Sequence, residues 1–314
     1  MIKYKCRPAI HTKLVCEYCE SINFVLPNKY HHYKYLADTD LIGFKIITNL
    51  LNFIESNNEN NYFFIDLLGY FNQRIIEFTK IDLSSDISIA QKLLAFTQFY
   101  NQVSDLNWHN VETDNSLALV AKRNTQSVAS KYDDLFIYSS VINILHCRVN
   151  EKSNVIIELP FESAFYGVNV ALFNKVTFNC QAFSVIVPKE EGEACSLTVA
   201  TAASFSSLDR IRAAANSIPP SELSLASLAN LIGVSERGLQ RELKSHNICV
   251  KDMINKVRID FIISILNKNN GNIKQSAYES GFKDLPSFSR YFSKITGISP
   301  TRYVKDNITI NMQL

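Results

Sequence analysis

One pattern occurs twice in the last third of this 314-residue chain, and it restricts the fold of that region more than any other feature. In the first copy, residues 224–244 (SLASLANLIGVSERGLQRELK), Leu225, Leu228, Ala229 and Ile232 recur at the i, i+3, i+4, i+7 spacing of one helix face. Gly233 ends that helix, Val234 turns inward, and Ser235 is placed to cap a second helix that buries Leu239 and Leu243. Glu236, Arg237, Gln240, Arg241 and Lys244 are left outside. The second copy, residues 272–294 (NIKQSAYESGFKDLPSFSRYFSK), repeats this order. Ala277 stands for Ala229, Gly281-Phe282 for Gly233-Val234, Phe288 for Leu239, Arg290 for Arg241 and Phe292 for Leu243, with a one-residue shift in register in the turn at Leu285-Pro286.

Each copy predicts a brace helix, a glycine turn and a second helix whose exposed face is free to enter a DNA major groove. A single such pair is common; two with matched arginines are hard to obtain by chance. Between them, residues 250–266 are apolar on most of the helix circumference (Met253, Ile254, Val257, Phe261, Ile262, Ile265), which predicts a buried helix about 25 Å long. A strut of that length can hold two reading helices ~34 Å apart, one turn of DNA. The region therefore reads as an all-α domain over residues 207–307, with two helix-turn-helix motifs joined by a central helix, and a tail at 308–314.

Charge follows the same division. Residues 1–204 hold 17 Lys+Arg against 21 Asp+Glu, and residues 205–314 hold 15 against 9. The basic excess lies with the repeated motif, as phosphate contact requires. Arg237, Gln240 and Arg241 in the first reading helix, and Ser287 and Arg290 in the second, project near the helix starts and are the expected readers of base edges. Lys244, Lys283 and Lys294 are expected on phosphates, while Glu236 and Pro286 share the DNA-facing surface.

The first part of the chain predicts a different class. Apolar spacing is helical over residues 41–54, 62–80, 87–101 and 133–150, whereas residues 116–122, 154–158, 176–178 and 182–187 read as short strands. An α+β domain over residues 1–200 follows, with a small polar linker at 201–206 inside the stretch 197–207. Its 15 Phe, 11 Tyr and one Trp fill a core and single out no ligand residues. Phosphate loops, dinucleotide fingerprints, a Gly-x-Ser-x-Gly elbow and a His-Glu-x-x-His motif are all missing, so no catalytic residue and no cofactor are expected. Cys180 sits in an apolar alternating run without a neighbouring base and reads as a structural thiol.

Cys16-x-x-Cys19, with Cys6, His11, His31 and His32 nearby, has zinc-ligand chemistry but no second well-spaced pair, and the expectation is reduced thiols and no metal. Seven cysteines, a polar and basic start, and the lack of an 18-residue apolar run predict a cytoplasmic chain without a membrane span.

These residues resemble the AraC/XylS transcription regulators. The likeness is carried by GVSERGLQRELK, by Arg258 in NKVRID, and by ESGFKDLPSFSRYFSKITGISPTRYV at residues 279–304. Pro286 and Tyr278 depart from the family pattern. A fainter likeness, through Ala171, Leu172, Phe173, Val176, Phe178, Phe183 and Pro188, is to the helix-rich amino-terminal domain of one subgroup. The resemblance implies promoter DNA and RNA polymerase as partners, activation as the outcome, and an amino-terminal domain that senses a small-molecule effector or mediates self-association. The residues alone leave two alternatives open: an effector-controlled regulator, and a ligand-independent one whose first domain only forms a homodimer or binds a partner.

Overall fold

A computed structural model describes residues 2–82, 84, 87–103, 108–121, 128–146, 155–188 and 205–307. The expected linker at 201–206 lies largely outside the described residues and the tail at 308–314 wholly so. The chain forms two compact units, one made of residues 1–44 with 205–314 and the other of residues 45–204. Residues 1–44, grouped by sequence with the first domain, thus pack with the carboxy-terminal helices. Division along these lines sharpens the charge segregation: the first unit carries 21 Lys+Arg against 13 Asp+Glu, the second 11 against 17.

The amino-terminal segment begins with strand β1 (Cys6–Pro8) and helix α1 (Ile10–Ser21), continues through a 3-10 turn (Asn28–Tyr35), and ends in strand β2 (Leu41–Gly43). β1 and β2 pair antiparallel, Cys6 opposite Gly43 and Pro8 opposite Leu41. The sequence predicted a helix from residue 41; three residues go to this pairing instead, because partners 35 positions away satisfy their backbone groups. Cys6, Cys16 and Cys19 are buried and form no disulfide among the described residues, and the Cys16 thiol points at the Tyr30 carbonyl at 3.6 Å. Burial pushes the Cys19 thiol up to about 12 and raises that of Cys16 further, so both stay protonated. Among the described residues no group of three or more His, Cys, Asp or Glu is arranged to hold a metal ion.

The second unit starts with three helices, α2 (Phe44–Asn57), α3 (Phe63–Thr79) and α4 (Ile89–Val103). After them come β3 (Trp108–Glu112), β4 (Ser116–Ala121), the long helix α5 (Val128–His146), β5 (Ile156–Glu158), the single turn α6 (Ser163–Tyr166), β6 (Val176–Thr177) and β7 (Phe183–Pro188). The strands form one sheet in the order β3-β4-β7-β5-β6, antiparallel except between β5 and β6. Alternation along β4 sends Leu117, Leu119 and Ala121 into a core shared with Leu93, Phe96 and Val141 from the helices. This is the expected α+β arrangement. Strand β3 escaped the sequence reading because only Trp108 of its five residues is buried.

The last seven helices return to the first unit: α7 (Ser207–Asn216), α8 (Leu225–Ile232), α9 (Glu236–Ser245), α10 (Val250–Lys268), α11 (Ile273–Glu279), α12 (Leu285–Thr296) and α13 (Pro300–Asn307). Two cores form along α10. Leu228, Ala229, Leu239, Leu243 and Met253 make the first with Ile211 of α7. Ile259, Ile262, Leu266, Ala277, Phe288 and Phe292 make the second. At 19 residues and ~1.5 Å per residue, α10 is about 28 Å long and serves both. Its Arg258 donates from Nε to the Pro220 carbonyl at 2.9 Å and from the guanidinium to the Leu223 carbonyl at 2.8 Å, pinning the loop that enters α8.

Candidate nucleic-acid interface

Both motifs are built by local chemistry. Helix α8 opens on a reciprocal cap between Ser224 and Ser227 and closes at Gly233, whose φ of 78° is left-handed backbone that favours glycine. Ser235 then caps α9, accepting from the Gly238 amide at 3.1 Å. In the second motif Gly281, at φ 84°, makes the turn, and Asp284 caps α12 through the Ser287 amide at 2.7 Å. This bond and one from the Ser287 hydroxyl at 3.0 Å hold the Asp284 carboxyl below the usual carboxylate range. One more residue separates glycine from cap in the second motif than in the first. That is the origin of the register shift seen in the sequence, and it falls before the helix rather than within it.

Counting from the caps, Arg241 and Arg290 both stand six positions along their helices, while Arg237 corresponds to Pro286, Gln240 to Ser289 and Lys244 to Ser293. Leu239 and Leu243 are fully buried, as are Phe288 and Phe292. The opposite faces consequently point outward: Glu236, Arg237, Gln240, Arg241 and Lys244 are exposed on or beside α9, and Lys283, Pro286, Arg290 and Lys294 on or beside α12, with Ser287 half-buried. Glu236 lies in the first turn of α9, where its charge complements the helix dipole.

The electrostatic state of these side chains differs between the motifs. Among the described residues, Arg237, Arg241, Lys244, Lys283 and Lys294 have no hydrogen bond or ion pair to the protein, whereas Lys256, Lys268 and Arg302 elsewhere in the unit are paired with Asp260, Glu20 and Asp306. Arg290 is tied to its own helix, donating to Ser287 Oγ at 3.2 Å. Beside α9 an open groove of about 950 Å³ is bordered by Gln240, Lys244, Asn247, Lys251 and Asn255. Lys251, in the first turn of α10, was not singled out by sequence. It shares the groove with Gln240 and Lys244, and the only cue was its position just past the helix start.

Residues 228–306 match the model of a family described as a helix-turn-helix domain. The TCP pilus virulence regulatory protein of Vibrio cholerae serotype O1, in two strains, is 35% identical to this chain over 66 residues, 21% of this chain and 24% of the relative. The chain thus spans about a quarter of the length of the curated relatives it matches. A crystal structure of the transcriptional regulator CdpR from Pseudomonas aeruginosa aligns with 94% of this chain and 98% of its own, at a TM-score of 0.40 and 15% identity. Among the described residues no helix is long and apolar enough to cross a membrane. The duplicated motif, its caps and its family match agree: the carboxy-terminal region is a helix-turn-helix domain of the AraC type.

Proposed function

We propose that this chain is a sequence-specific DNA-binding transcription regulator of the AraC type that acts in the cytoplasm and without catalysis. The observation that carries this reading is the set of unpaired cations on the outer faces of two capped reading helices, in the unit that holds the basic excess. Arg237, Gln240 and Arg241 are assigned to base edges, arginine favouring guanine and glutamine adenine by bidentate pairing. Ser287 and Arg290 meet the second half of the site with Pro286, which has no amide hydrogen to donate. Lys244, Lys283 and Lys294 go to phosphates, and Glu236 lies at the edge of this surface. Activation through RNA polymerase is taken from the family likeness.

The first helix should carry most of the base discrimination, since it presents two free arginines and a glutamine where the second presents one arginine already bonded to a serine. Arg241→Ala is therefore expected to cost about 1–3 kcal/mol on the true site and to relax base choice in one half of it. Arg290→Ala should weaken all sequences more evenly. Binding-site selection with each variant at fixed salt measures this, and a sharper loss of preference for Arg290→Ala reverses the assignment. Failure of the native chain to enrich any sequence would sink the regulator reading itself.

Residues 45–204 are assigned to sensing or self-association, in place of the span 1–200 that the sequence suggested. Dimerisation fits the second unit's role, because one chain offers two reading helices for one asymmetric site and a pair of chains doubles the site. Sedimentation of the full chain at tens of micromolar is expected to show a dimer, and a strict monomer removes this part. A thermal-shift screen against metabolites separates an effector-controlled regulator from a ligand-independent one, a ligand at 100 times its dissociation constant adding about 2.7 kcal/mol.

A further inference from the structure

The amino-terminal segment is joined to both halves of the helix-turn-helix pair. Against the first half, Ile2 and Tyr4 sit in the core built around Leu228 and Leu239. The Tyr4 carbonyl accepts from Arg210 of α7 at 2.7 Å. The end of α7 is held from three directions: the Gly43 amide donates to Ser217 Oγ at 2.7 Å, the Tyr33 hydroxyl to the Ser217 carbonyl at 2.9 Å, and Asn216 Nδ2 to the Leu41 carbonyl at 3.1 Å.

Against the second half, Glu20 lies 3.9 Å from the Lys268 ammonium at the end of α10, and the central contact is Tyr35. Its ring meets Phe261 of α10 edge-on with centroids 5.5 Å apart, and the Lys268 ammonium lies 5.1 Å over the same ring. Its hydroxyl donates to Glu279 Oε2 at 3.0 Å. Glu279 is the last residue of α11, the brace helix of the second motif, and its carboxylate also accepts from Asn269 Nδ2 at 3.0 Å and Gln275 Nε2 at 2.8 Å. One carboxylate thus ties the brace helix to the end of α10 and to the amino-terminal segment at once.

Resting on the regulator reading above, we infer that residues 1–44 are a working part of the DNA-reading unit, and that Tyr35 is a positioning residue which holds the second helix-turn-helix in register with the first. The two halves have separate cores, and α10 is their continuous covalent support. Apart from the Pro220-Ser221 turn, which lies beside Gly281, a strut joined to two small cores at different points along its length leaves their mutual rotation to its own stiffness. A second connection, fastened at Ser217 on one side and Glu279 on the other, removes that freedom before DNA is met. Pre-paid order of this kind raises affinity for a two-part site of one spacing and does nothing for either half alone.

The test uses the full chain and two DNA duplexes: the site selected by the native protein, and the same duplex with the half read by α12 scrambled. Tyr35→Ala should weaken binding to the intact site about tenfold, the combined worth of the ring contacts with Phe261 and Lys268 and of the exposed hydrogen bond to Glu279, while binding to the half-scrambled site stays within about twofold. Tyr35→Phe keeps the ring against Phe261 and loses only the hydroxyl, so it should fall between native and Tyr35→Ala. Glu279→Gln retains an acceptor and should stay closer to native than Tyr35→Phe. A general loss of folding lowers both duplexes together, so equal weakening on the two overturns the inference, as does no weakening of the intact site by Tyr35→Ala. A native chain with no sequence preference removes the regulator reading and this inference with it.

Discussion

Raising the salt from 50 to 200 mM should weaken the full chain's binding to its DNA about 150-fold. Four exposed lysines with no partner among the described residues, Lys244, Lys251, Lys283 and Lys294, set the scale of the phosphate contact, Arg237 and Arg241 being assigned to base edges. Each phosphate neutralised releases condensed counterion and contributes about −0.9 to the slope of log affinity against log salt, so four give a slope of about −3.6 and a fourfold rise in salt gives a loss of about 150-fold. Lys256, Lys268 and Arg302 add nothing to this count, because carboxylates of the same unit already neutralise them. Fluorescence anisotropy at four or five salt concentrations reads the slope. A value near zero would show that phosphates are not what this surface meets, and a slope near −2 that only one of the two reading helices docks.

The repeated motif was legible in the sequence because everything that builds it is local. The periodic leucines, the left-handed glycine and the capping serine lie within twenty residues of one another, and so do their counterparts in the second copy. The register shift was read at Leu285-Pro286, which open α12; the extra residue lies earlier, between Gly281 and Asp284, and Asp284 as the cap became visible only through its bond to the Ser287 amide. Which cations are free and which are paired was not legible. Lys256 finds Asp260 four residues on, but Lys268 finds Glu20 from the other end of the chain.

The amino-terminal segment was hidden for the same reason in stronger form. Its partners are Ser217, Asn216 and Glu279, some 170 to 240 positions away, and its own residues are polar and tyrosine-rich. A stretch such as NKYHHYKY has the composition of solvated surface, yet Tyr30, His32 and Tyr33 are buried. Tyrosine and histidine bury a large ring and satisfy one polar tip, so composition alone cannot say which side of the surface they occupy. The same ambiguity made Cys16-x-x-Cys19 resemble a metal site, when the spacing places both thiols on the buried face of α1.

Acid should loosen this segment from the helices it clasps. His32 lies at the junction, its Nε2 3.1 Å from the Asn216 carbonyl and its ring against Tyr33 with centroids 4.0 Å apart. Burial lowers its pKa to about 4, the backbone carbonyls of Asn216 and Lys29 opposing that shift and the neighbouring His31 adding to it. His11, fully buried on α1, is lowered well below 6.5 by burial first and by the Arg7 charge second. For a histidine whose folded pKa is depressed, the unfolded chain binds more protons between the two values. Stability is therefore full above pH 6.5 and falls as the pH drops toward 4. For His32 alone the loss is about 2 kcal/mol at pH 5 and about 3 kcal/mol at pH 4, and His11 adds to it in the same sense. Asp40, which lines a cavity of about 500 Å³ with His32, Asp260 and Lys256, works the other way: burial raises its carboxyl, so its share of stability grows as the pH falls. Denaturant unfolding of the full chain at pH 7 and pH 5 measures the difference, and His32→Gln should reduce it by about 2 kcal/mol whatever its own effect at pH 7. An unchanged difference in that variant would mean that His32 charges as readily in the folded protein as in the unfolded chain, and that the clasp does not depend on its neutrality.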